Sequence, residues 1–179
     1  SSFVMAEYTD EKNGMNVTRL LLVLSTSQYG DVVLDVSHWS GSQANIATQT
    51  YHFSNSLDSI EFSNSSELPT PESIEQYTQL ELIENNHTFF TNSAQYWQTA
   101  IHVSKGNELY GGTSINGGLF LIQTNAQPST NSTMLSIHQN GEHDEFIQFD
   151  QILTDSSIIV MLDELEIRID WDTKSVAIE

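Results

Sequence analysis

Residues 17–39 read VTRLLLVLSTSQYGDVVLDVSHW, and the fold turns on how this stretch is divided. Val17, Arg19, Leu21, Val23 and Ser25 alternate with Thr18, Leu20, Leu22 and Leu24. Both rows are apolar at the centre, the pattern of a central strand covered on both faces. A helix would bury the same leucines, so the flanks decide. Gln28-Tyr29-Gly30-Asp31 is a turn sequence, and period two resumes after it. Val32, Leu34, Val36 and His38 then share one face, and Val33, Asp35, Ser37 and Trp39 the other. Two alternating runs about a glycine-bearing turn predict a β-hairpin.

The same period extends outward. Ser40-Gly41-Ser42 is expected to break the second strand, and Ile46–Phe53 resumes it. Strands are predicted from Leu80, over Trp97–Val103, over Leu119–Gln123 and over Met134–His138. Tyr110-Gly111-Gly112 and Asn116-Gly117-Gly118 read as a loop, and Asn140-Gly141 as a hairpin turn. Near the C-terminus Ser157–Leu162 is apolar, and Leu165, Ile167 and Ile169 alternate with Glu166, Arg168 and Asp170. Val176–Ile178 closes that hairpin. The one helix signal is Thr70-Pro71-Glu72, a capping hydroxyl followed by proline and acid, which predicts a short helix near residues 71–78. Short strands with polar turns mark a mainly β chain, an antiparallel sandwich or barrel-like fold in a single domain over 1–179.

Charge narrows the partners. The chain has 24 Asp and Glu against 5 Lys and Arg, a formal net charge of -19. Lys12, Arg19, Lys105, Arg168 and Lys174 are scattered. Phosphate backbones need clustered cations, so nucleic acid is excluded as a partner, and an anionic membrane surface by the same argument. A protein or a glycan remains, with Ca²⁺ as the cofactor that excess carboxylate would suit. The absence of Cys excludes disulfides, thiol catalysis and Cys-ligated metals. The chain is expected to work outside a bacterial cytoplasm, in the periplasm, at the cell surface or secreted.

Few residues point to chemistry. Trp39, beside Ser40-Gly41-Ser42, and Tyr110, beside paired glycines, are candidate rings for stacking on a ligand. Glu142 and Asp144, next to His143, form one candidate metal cluster. Asp163, Glu164, Asp170 and Asp172, at strand ends, form another. Catalytic residues cannot be chosen: there is no nucleophile elbow of the Gly-x-Ser-x-Gly type and no His-Glu-x-x-His. The leading expectation is a noncatalytic β-domain for surface recognition or adhesion. A metal- or carboxylate-dependent hydrolase is the alternative, and a structural subunit of a pilus, capsid or tail the second alternative. The hydrolase requires acids converging in a cleft with raised pKa, the binding module exposed rings, and the subunit an unpaired edge or apolar patch.

Overall fold

A computed structural model of the chain describes residues 1–12, 14–52, 65–67, 77–83, 87–92, 97–104, 106–114, 119–140 and 147–179. Among them there is no helix, and every paired strand is antiparallel. The strands form three sheets.

The central sheet has six strands in the order β1-β2-β3-β11-β8-β7. These are β1 (Ser2–Asp10), β2 (Met15–Thr26), β3 (Gly30–Asn45), β7 (His87–Asn92), β8 (Trp97–His102) and β11 (Ser129–Asn140). A five-stranded sheet has the order β4-β10-β9-β6-β5. Its strands are β4 (Thr48–His52), β5 (Ser65–Glu67), β6 (Tyr77–Ile83), β9 (Asn107–Ser114) and β10 (Leu119–Asn125). The C-terminal sheet is a four-stranded meander of β12 (Phe149–Leu153), β13 (Ser157–Leu162), β14 (Leu165–Asp170) and β15 (Ser175–Ile178).

The two faces of the central sheet bury different things. On one face Leu20, Leu22, Val32, Leu34, Val36, Leu135 and Ile137 meet Ile158, Val160, Leu162, Ile167 and Ile169 of the C-terminal sheet. All of these are at most 1% exposed, a dry sandwich core. On the other face Ile101 and Val103 pack with Tyr51, Leu109 and Leu121 of the five-stranded sheet. Ala100 and Ile101 are neighbours that fall in different cores, as the period of two requires.

The hairpin over residues 17–39 forms with Thr26 opposite Gly30, and Gly30 takes φ 65, which its missing Cβ permits. Three expectations need correction, and a fourth lies mostly outside the described residues. Over its second half β2 is covered on one face only: Leu21 and Val23 are 40% and 44% exposed, whereas Met15 and Val17 in the same row are 4% exposed, and the five-stranded sheet lies over the β11 and β8 side of the sheet. Ser40-Gly41-Ser42 does not break β3, which runs on to Asn45 with Gly41 opposite Met15. A Cβ at Gly41 would lie 2.8 Å from the Gly14 carbonyl, so this glycine serves close strand approach and not a turn. Gly111 and Gly112 lie inside β9, opposite Leu121 and Phe120, and not in a loop. The helix expected near residues 71–78 lies outside the described residues up to 76, and Tyr77 and Thr78 already pair in β6.

Candidate functional site

Two inward-facing rows end at the same place. On β3 the row is Val32, Leu34, Val36, His38; on β14 it is Ile167 and Ile169, continued past the strand end by Trp171. His38 and Trp171 stack with ring centroids 4.9 Å apart and planes 7° from parallel. They are 5% and 7% exposed, and they close the core at one end of the sandwich. His38 Nδ1 lies 2.9 Å from the Thr133 Oγ1 of the neighbouring strand. Burial pulls the His38 pKa down to about 4, against the nearby Asp172 charge, so the ring is neutral at pH 7.

Over this aromatic floor lies a groove of about 440 Å³. Glu7, Tyr8, Thr9, Asn16, Thr18, Ser40, Asp155 and Asp172 supply its walls. Register explains the grouping: Glu7 lies opposite Thr18, and Thr18 opposite His38, across three adjacent strands. Glu7 is held by Lys174 Nζ at 2.7 Å, and that bond keeps its carboxyl below the usual range. Tyr8 is 60% exposed.

A second groove, about 580 Å³, adjoins the first, and Asp155 lines both. Its described walls are almost wholly neutral and polar: Asn107, Asn125, Gln127, Ser129, Asn131, Ser132, Thr133 and Thr154. Several are fixed by bonds of their own. Asn107 Nδ2 donates to the Thr133 carbonyl at 3.0 Å, and Asn131 Nδ2 to the Asp155 carbonyl at 3.1 Å. Asn125 Nδ2 donates to the Asn45 and Gln127 carbonyls at 2.9 and 2.7 Å. The joined grooves therefore present amides, hydroxyls and a few carboxylates on a rigid wall.

Of the described residues singled out from sequence, one lines these grooves. Asp172 lines the first groove. Tyr110 is 5% exposed, and its hydroxyl donates to Glu108 Oε2 at 2.7 Å. Trp39 is half-buried on the face opposite to His38. Asp163, at φ 56 in the β13–β14 turn, accepts from Ser27 Oγ at 2.7 Å and from the Gln28 amide at 3.0 Å. Those bonds lower its pKa and tie two turns together. Asp170 accepts from the Thr173 amide and hydroxyl at 2.7 and 2.8 Å, and is lowered for that reason. Glu164 is exposed beside Asp163 in the same turn. Glu142 and Asp144 lie outside the described residues. Among the described residues no three His, Asp or Glu side chains converge to hold a metal ion.

A second polar cluster was not foreseen. Asp35, 4% exposed, takes a two-pronged bond from Arg19 at 2.9 and 2.6 Å. Beside it Ser136 Oγ lies 3.1 Å from His138 Nε2, and Thr99 Oγ1 lies 2.9 Å from His138 Nδ1. A hydroxyl on an imidazole that is oriented by a third group has the outline of a nucleophile and its base. Ser136 is 0% exposed, however, so a substrate has no approach to it. Ser136 and Asp35 lie opposite each other on β11 and β3, which only the strand pairing reveals.

Compared with known proteins, the sequence matches no family model and no curated relative.

Proposed function

We propose that this chain is a noncatalytic recognition domain that works outside the cytoplasm and holds a neutral, hydroxyl-rich ligand, a glycan, in the joined grooves. The observation that carries this reading is the lining: amides and hydroxyls along one track, with the His38–Trp171 floor at one end. Sugar hydroxyls both donate and accept, as do Asn, Gln, Ser and Thr. Asp155, Asp172 and Glu7 add acceptors, and the stacked His38 and Trp171 rings give the floor an aromatic surface. A net charge of -19 disfavours sulfated or phosphorylated sugars.

A hydrolytic reading has less support. The described carboxyls with shifted pKa, Glu7, Asp163 and Asp170, all move down, whereas a general acid needs its pKa raised. The proposed binding is calcium-independent, since Asp163 and Asp170 are engaged by protein donors.

The test is a screen of neutral and sulfated oligosaccharides by calorimetry, with and without EDTA. Neutral sugars are expected to bind, unaffected by EDTA, and to lose at least tenfold in affinity in Asp172→Ala and Asp155→Ala. Binding confined to sulfated sugars, or unaltered in both variants, would remove the groove from the account.

A further inference from the structure

Strand β1 is an edge of the central sheet: it pairs with β2 through all nine residues, and among the described residues with no other strand. Edge strands are ordinarily blunted by proline, lysine, a bulge or brevity. Ser2–Asp10 has none of these: its sequence is SFVMAEYTD and its register to β2 is unbroken. Instead it exposes apolar side chains. Phe3 is 49%, Val4 69% and Tyr8 60% exposed. Val4 lies opposite Leu21, and Val23 follows two residues along, so the apolar row continues onto β2.

We propose that this edge pairs with an extended segment of another protein in which apolar residues alternate with Lys or Arg. The apolar alternation follows from the row on Val4, Leu21 and Val23, which a seventh strand would extend. The cations follow from charge. Within β1 the charged residues are Asp10 and Glu7, which Lys174 already holds, and the chain as a whole carries a net charge of -19. A second copy brings the same negative charge to the same edge, so the complementary occupant is cationic. The groove touches β1 at Glu7, Tyr8 and Thr9, but the pairing uses the backbone edge that β2 leaves open, so a glycan-binding failure would leave it standing.

The experiment pans a display library of nine-residue peptides against the full chain at physiological salt, and follows backbone amide exchange in the complex. The expected result is enrichment of alternating apolar and Lys/Arg peptides. Their binding should slow exchange of β1 amides and weaken at least tenfold in Val4→Lys. That exposed position tolerates charge, so an unchanged melting temperature confirms that the variant is folded. A charge-neutral Val4→Thr should weaken binding by a smaller factor. Enrichment without the cationic alternation, binding indifferent to Val4→Lys, or a peptide-free dimer protected at β1 would each overturn the proposal. The last outcome would assign the edge to a second copy.

Discussion

His38 carries a pH dependence that can be worked out from its burial. Its pKa falls from 6.5 to about 4 in the folded chain, so between those values the unfolded state binds more protons. Stability is therefore full above about pH 6.5 and declines as pH falls toward 4. The ring borders the groove, and water there trims the effect to about 2 kcal/mol. His138 shifts in the same direction, again through burial. The lowered carboxyls Glu7, Asp163 and Asp170 act mainly below His38's window, since their unperturbed values are 4.5, 3.8 and 3.8. Urea melts at pH 7 and pH 4.5 should thus differ by about 2 kcal/mol less in His38→Gln than in the parent. An unchanged difference would show that His38 does not titrate in this window. The sequence placed His38 on the face of Val32, Leu34 and Val36, but its partner Trp171 stands 133 positions later, beyond any local pattern.

The strands show which features can be read locally and which cannot. The β2–β3 and β13–β14–β15 hairpins follow from alternation and turn residues, and both appear in the sheets. Gly41 misled because a glycine between serines looks like a turn, whereas here it lets β2 and β3 approach. Gly41→Ala would set its Cβ 2.5 Å from Met15 Sδ and 2.8 Å from the Gly14 carbonyl. The expected loss is about 2 kcal/mol by chemical denaturation, against little change for the exposed Ser42→Ala. Equal effects at the two positions would mean that the strands can part without penalty. Gly111 and Gly112 misled for the same reason. The groove itself was illegible in sequence, because it is assembled from β1, β2, β3 and two C-terminal turns.

At the scale of the molecule, composition spoke most directly. The -19 balance argues against polyanionic partners before any strand is placed. It also predicts that NaCl stabilises the chain, since screening relieves repulsion more in the compact state than in the unfolded one. A gain of about 1 kcal/mol, or roughly 3 °C in melting temperature, is expected from low salt to 1 M. A flat or falling melting temperature would show that the acids are too dispersed to repel one another. Composition did not reveal how the charge is used. Buried Asp35 pairs with the exposed Arg19, Asp163 joins two turns, and Asp155 and Asp172 face the groove.

The most direct test of the glycan-binding reading is a residue-resolved NMR titration with a neutral oligosaccharide identified by the calorimetric screen. The account predicts that shifts concentrate on Thr9, Asn16, Thr18, Asn131, Asp155 and the Trp171 indole, and leave Leu21 and Val23 unmoved. Shifts centred on β1 and β2, with the Trp171 and Asp155 signals unchanged, would contradict it.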